Sequence, residues 1–155
     1  MANEILCMRK TSSHPNIIKL YEVFETHHSI YLVLEMISGG NLQDRLNEKK
    51  QYTEKMVKGI IKGVFEGLSY IHSMNVMHRD IKPSNIILRT DRDEEHDVCI
   101  ADFGLATPLD VASYLFYRCG TPGFAGPEII ENGDPNKKYD AVCDVFSAGA
   151  VFHYL

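Results

Sequence analysis

The chain has 155 residues, 45% of them hydrophobic and 24% charged, enough for one domain with a sizeable core and unlike a disordered composition. Its 16 basic and 21 acidic residues leave a net charge of −5, which argues against nucleic acid or an anionic membrane as the primary partner. Four cysteines (Cys7, Cys99, Cys119, Cys143) stand far apart without a Cys-x-x-Cys pair, a pattern of reduced thiols in a cytoplasmic or nuclear protein.

In chain order, Asn3 to Thr11 predicts the end of a helix, with Ile5, Leu6 and Met8 apolar and Arg9-Lys10 at its C-terminal end. Ser12-Ser13-His14-Pro15 stops it. Ile17–Phe24 and Ile30–Met36 are β-branched and aromatic, and Thr26-His27-His28-Ser29 between them predicts an antiparallel hairpin with its histidines solvated in the turn. Gly39-Gly40 marks a joint, and Asn41 to Leu46 starts a short helix. Thr53 to Ser73 is the clearest helix, because Met56, Val57, Ile60, Ile61, Val64, Leu68 and Ile71 recur at steps of three and four.

Next come Val76-Met77, the polar run His78-Arg79-Asp80-Ile81-Lys82-Pro83-Ser84-Asn85, and Ile86-Ile87-Leu88: a loop between two short strands. A second hairpin is expected over Ile86–Arg89 and Val98–Ala101. Its tip, residues 91–97, is a charge cluster that reads as a solvated loop, since EF-hand spacing is missing. Asp102-Phe103-Gly104 follows. Residues 105–125 show neither helical nor strand period, which in a compact domain suggests function. Gly126-Pro127 opens a short helix, and Tyr139 to Leu155 predicts a strongly apolar one.

Two carboxylates, a carboxamide, a lysine and an arginine in this loop and triplet suit phosphoryl transfer. The chemistry needs a carboxylate for a hydroxyl proton, a cation for phosphate oxygens, and oxygen ligands for magnesium. His78–Asn85 resembles the catalytic loop of protein kinases, and Asp102-Phe103-Gly104 their metal-binding triplet. Lys82, two residues after Asp80, and Gly120-Thr121-Pro122-Gly123-Phe124 resemble serine/threonine kinases. His14-Pro15-Asn16 through Tyr21 and Asp102 through Ala106 are similar to the calmodulin-dependent kinase group.

The resemblance implies an α+β, two-lobe kinase-like fold, truncated: residues 1–37 as a small-lobe remnant with a helix end and a hairpin, and 38–155 as part of the mainly helical large lobe. It implies ATP and Mg2+ as cofactors and a protein with a Ser or Thr acceptor as substrate. Asp80 would take the hydroxyl proton, Lys82 would offset phosphoryl charge, and Asn85 and Asp102 would hold magnesium. The Glu35–Met36 backbone would hold adenine over Ile87, with Asn41 near the ribose. Leu34 would be the gatekeeper, and Glu4 either the glutamate that pairs with the phosphate-anchoring lysine or a surface residue. Met8, Leu20, His78 and Phe103 would stack as a spine, anchored by Asp144. Arg79 would meet an activation-loop phosphate, Thr121 would bond near Asp80 and Lys82, and modification is expected at Tyr117, at Ser113 or not at all. Ser84 stands where basophilic relatives carry a glutamate.

No Gly-rich loop or Val-Ala-Ile-Lys strand precedes Glu4 and no later large-lobe helix follows Leu155. The expectation is therefore a chain incompetent on its own, with an exposed large-lobe surface open to a partner. The alternatives are a catalytically silent binding or scaffold module and a remnant without function.

Overall fold

The computed structural model describes residues 2–48, 52–90 and 97–155. The charge cluster expected at 91–97 lies, apart from Asp97, outside the described residues.

Helix α1 (Ala2–Thr11) buries Cys7, Met8 and Thr11, and its acidic first turn and basic last turn suit the helix dipole. Strands β1 (Leu20–Glu25) and β2 (Ile30–Leu34) pair antiparallel, Val23 opposite Leu32, with a register shift between Leu20 and Glu22. The turn closes through Thr26 N–H to the Ser29 carbonyl at 2.8 Å, and His27 and His28 are exposed as expected. Asn41 caps α2 (Leu42–Glu48): its Oδ1 accepts the Asp44 amide at 2.9 Å while its Nδ2 donates to Asp44 Oδ2 at 2.6 Å.

Thr53 caps α3 (Glu54–Ser73) by accepting the Met56 amide. Ile60, Val64, Leu68 and Ile71 are fully buried along one stripe, each stabilising the fold by about 1.5–3 kcal/mol relative to exposure. Met56, Val57 and Ile61 sit at the stripe's margin, only partly buried. Gly63 and Gly67 complete the stripe for a steric reason. A Cβ on Gly63 would lie 2.8 Å from Val98 Cγ2, and one on Gly67 3.0 Å from Ile100 Cδ1. The missing side chains let a strand lie directly on the helix.

That strand is β5 (Val98–Ile100), paired antiparallel with β4 (Ile86–Leu88), Ile87 opposite Cys99. Both faces of β5 are buried. On its other edge the segment after α1 is bonded in: Ile18 N–H reaches the Ile100 carbonyl at 3.0 Å, Ile100 N–H reaches the Asn16 carbonyl at 2.8 Å, and Asn16 Nδ2 donates to the Val98 carbonyl at 2.7 Å. The main core gathers α1, α3, β4, β5 and Phe103.

The strands flanking the central loop belong to different sheets. Strand β3 (Val76–Met77) pairs not with β4 but with β6 (Thr107–Pro108), inside the segment expected to lack strand structure. Tertiary pairing imposes that two-residue strand, too short to leave a period. Helix α4 spans Pro127–Ile130. Helix α5 starts at Val142 and runs to Tyr154, three residues later than the apolar pattern suggested. Ahead of the helix, Asp140 Oδ1 accepts the Val142 amide at 2.9 Å and the Tyr139 carbonyl accepts the Tyr114 hydroxyl at 2.5 Å. Cys143, Asp144, Ser147, Ala148 and Val151 face inward, while Val142, Val145, Phe146, Phe152 and Tyr154 are exposed. No helix among the described residues is long and apolar enough to cross a membrane.

Candidate active site

Two residues at the centre have backbones that L-side chains rarely adopt: Arg79 with φ 69° and Asp102 with φ 61°. Each conformation costs on the order of 1–3 kcal/mol and persists only when its surroundings over-determine it. Asp144, fully buried on α5, supplies that support for the loop. Its Oδ2 accepts the His78 amide at 2.8 Å and its Oδ1 the Arg79 amide at 2.7 Å, while His72 Nε2 meets Oδ2 at 2.9 Å. A buried carboxylate thus supplies the partners that two buried amides would otherwise lack.

His78 joins the loop to the triplet. Its Nε2 lies 3.0 Å from the Ala101 carbonyl, which can only accept, and its Nδ1 takes the Asp80 amide at 3.2 Å, which can only donate. The ring is therefore the neutral Nε2–H tautomer. Burial drives its pKa below the ordinary imidazole value, outweighing the opposing pull of Asp144, the Ala101 carbonyl, Asp80 and Asp102. Ala101 also donates its N–H to the Asn85 carbonyl at 2.9 Å. Both backbone groups of the residue before Asp102 are held by the loop, so Asp102 and Asn85 are brought to one place by main chain. Phe103 packs edge-on to His78, centroids 5.0 Å apart. Met8 and Phe103 are buried in the main core and Leu20 packs against it.

Asp80 is the hub of the side-chain network. Oδ1 accepts the Thr121 hydroxyl at 2.7 Å, and Oδ2 meets Lys82 Nζ at 2.8 Å and Asn85 Nδ2 at 3.1 Å. Lys82 Nζ also donates to Thr121 Oγ1 at 2.9 Å, and Asn85 Nδ2 to the Asp80 carbonyl at 2.9 Å. Burial alone would raise the Asp80 pKa, but the bonds from Lys82 and Thr121 hold it below the ordinary carboxylate value. Asp80 is ionised at neutral pH. The Asn85 side-chain nitrogen is committed to Asp80, leaving its side-chain oxygen Oδ1 available. Asp102 is exposed, with Oδ1 accepting the Gly104 amide at 3.2 Å. An exposed carboxylate and an available amide oxygen, on chain segments joined by the Ala101–Asn85 backbone bond, are donors of the type a hard cation takes while keeping water and phosphate ligands. Among the described residues no group of three or more His, Cys, Asp or Glu could enclose a metal.

Arg79 is 3% exposed, and its side chain is already engaged. Nε donates to the Leu105 carbonyl at 2.7 Å, Nη1 to the Phe116 carbonyl at 2.6 Å and the Tyr139 hydroxyl at 3.1 Å, and the guanidinium lies 5.4 Å from the Tyr114 ring centroid. Tyr117 is half-buried and Ser113 exposed on the same segment. Glu4 lies in the first turn of α1. Asn41 and Ile87 form a β-bridge beside the joint at Gly39-Gly40, and Ile87 is the partly buried member of β4, turned from the face that buries Ile86 and Leu88. Leu34 ends β2, followed by Glu35 and a fully solvated Met36.

Sequence reasoning missed three contributors: His72, Ala101 and Arg89, which bonds Glu35 at 2.7 Å. Only tertiary contact reveals the first and last, and Ala101 acts purely through its backbone.

The protein kinase domain family matches residues 1–155. The chain is 36% identical to a probable myosin light chain kinase of Dictyostelium discoideum, over 100% of this chain and 48% of that protein. It is 38% identical to a calcium/calmodulin-dependent protein kinase type 1 of Macrobrachium nipponense, over 100% of this chain and 43% of that one. A calcium-dependent protein kinase 5 of Plasmodium berghei is 40% identical over 100% of this chain and 26% of its own length. The chain spans about half the length of the first of these relatives.

Proposed function

The chain belongs to the protein kinase family, and we propose that it carries the catalytic centre of a serine/threonine kinase that moves the terminal phosphoryl group of ATP to a protein hydroxyl. One observation carries the reading: an ionised Asp80 is held at three points by Lys82, Thr121 and Asn85. Phosphoryl transfer through a loose transition state asks the protein for positioning and charge more than for covalent chemistry. Asp80, with its depressed pKa, orients the acceptor hydroxyl and takes its proton late, when the oxygen has become acidic. Lys82 stabilises charge on the moving group, and Thr121 keeps Lys82 and Asp80 in register with the segment that presents the acceptor.

Asn85 and Asp102 would hold Mg2+, which when bound offsets charge on the nucleotide phosphates. Glu35 and Met36 would offer backbone groups to adenine, above Ile87, with Asn41 towards the ribose and Glu4 as the partner of a phosphate-anchoring lysine. Arg79 fixes residues 105–116 through carbonyls. Tyr117 or Ser113 would be the position for regulatory modification on that segment.

The test is transfer from Mg–ATP to a generic protein substrate, with phosphoserine and phosphothreonine as products and loss on Asp102→Asn. Transfer unaffected by Asp102→Asn would overturn the assignment. Absence of both transfer and nucleotide binding in the full-length protein would leave a silent docking module.

A further inference from the structure

The corner that follows β2 is held from behind by a residue remote in sequence. Arg89, just past β4, donates from Nη1 to Glu35 Oε1 at 2.7 Å and from Nε to the Pro15 carbonyl at 3.0 Å, with Nη2 on that same carbonyl. Its own amide extends the β4–β5 ladder to the Asp97 carbonyl at 2.9 Å. One guanidinium therefore ties together the loop after α1, the end of β2 and the outer end of the buried hairpin. Glu35 is anchored twice, since its amide donates to the Lys19 carbonyl at 2.9 Å.

Beyond Glu35, residues 36–38 make no backbone–backbone hydrogen bond among the described residues, and Met36 is 92% exposed. The far end of the corner is fixed by close approach: a Cβ on Gly39 would lie 2.2 Å from the Leu88 carbonyl oxygen, and Leu88 donates to the Gly40 carbonyl at 2.9 Å. The corner thus hangs between Glu35 and Gly39, both referenced to β4.

As a stabiliser the ion pair is poorly arranged. Both side chains are largely withdrawn from water, 23% and 17% exposed, and Glu35 Oε2 is buried without a partner. Desolvation consumes much of what such a pair gains, and apolar residues of equal volume would hold the layers together as well. A planar guanidinium fork does something those residues cannot, which is to fix direction and distance between two chain segments.

We propose that Arg89 and Glu35 are positioning residues for the nucleotide: they set the height of the 35–38 corner above Ile87, two residues before Arg89 on the same extended run. The proposal rests on the kinase reading, in which that corner and Ile87 enclose the base. Strand β4 then sets both sides of the base site, the floor directly and the corner through Arg89.

The full-length protein tests it with Arg89→Met, Arg89→Lys, Glu35→Gln, the double variant Arg89→Met/Glu35→Gln, and Lys62→Met on the exposed side of α3 as control. Loss of this charge-assisted bond should raise KM for ATP by about tenfold in Arg89→Met while kcat stays within about twofold. The double variant should be no worse than Arg89→Met alone, because the two side chains act as one unit. Arg89→Lys should restore part of the loss, lacking the fork that reaches Glu35 and Pro15 together. Hydrogen exchange of the Glu35 amide in nucleotide-free protein should accelerate in Arg89→Met and not in Lys62→Met. An unchanged KM, additive losses, or a fall in kcat alone overturns the proposal. Should Arg89→Met fail to fold, Arg89→Lys and Glu35→Gln decide the matter through the same KM and kcat measurements. A wild type that binds no Mg–ATP sinks the kinase reading. If the Glu35 amide still depends on Arg89 in that protein, the pair is a structural latch and its positioning role falls separately.

Discussion

The first and second hairpins of this chain are opposites. Strands β1 and β2 have six and five residues, rich in branched and aromatic side chains, yet Tyr21, Phe24 and Tyr31 are about half exposed or more. Strands β4 and β5 have three each, and every residue of β5 is buried. Strand length and propensity favour the first; packing on both faces favours the second. The candidate site stands on the second. Asn85 enters β4 and Asp102 leaves β5, and α3 with the Asn16–Ile18 segment clamps the strands between them. Placement of the oxygens around Asp80 follows burial of the hairpin beneath it, not the strength of any strand.

The largest expected effect separates the chemistry from that platform. Asp80→Asn should lower phosphoryl transfer on the order of 10³-fold while leaving the unfolding midpoint nearly unchanged. A collapse of the midpoint would instead make the Asp80 network structural. Gly67→Val attacks the platform itself by pushing a side chain into Ile100 and the Asn16 carbonyl, at 3.0 and 3.1 Å from a Cβ. It should cost about 3 kcal/mol in denaturant unfolding.

A pH titration sharpens the contrast further. His78 is held neutral by burial, with its folded pKa below the unfolded value of about 6.5. The unfolded chain therefore binds the extra proton first as pH falls. The stability tied to neutral His78 is complete above the unfolded pKa and is lost as pH drops below it, by at most about 1.4 kcal/mol per pH unit. His78→Phe should flatten the pH dependence of thermal unfolding below about pH 6.5, where the wild type loses stability. The smallest effect belongs to the exposed hairpin: Phe24→Ser should change stability by roughly 0.5 kcal/mol or less. A loss of several kcal/mol there would show that β1–β2 is buried in the working protein.

Much of the site was legible because its chemistry is crowded into a short run. The residues from His78 to Asn85 and Asp102 to Gly104 announce oxygen donors and cations whatever the fold. The meeting of Thr121 with Asp80 and Lys82 was legible through resemblance. His72 and Arg89 were not, since each acts across a long sequence separation on a partner that no local pattern marks. Gly63 and Gly67 look like weak points in a helix, and they are the contact that seats β5.

The sequence by itself determined the helices with a clear apolar period, the turn of the first hairpin and which polar residues crowd into the candidate site, because these depend on neighbours in the chain. Tertiary structure alone decided that β3 pairs with β6, that α5 starts after Tyr139, that Asp144 supports the strained backbone at Arg79, and that Arg89 reaches Glu35. Each of those choices satisfies a buried polar group, and the partner that satisfies it is found in space.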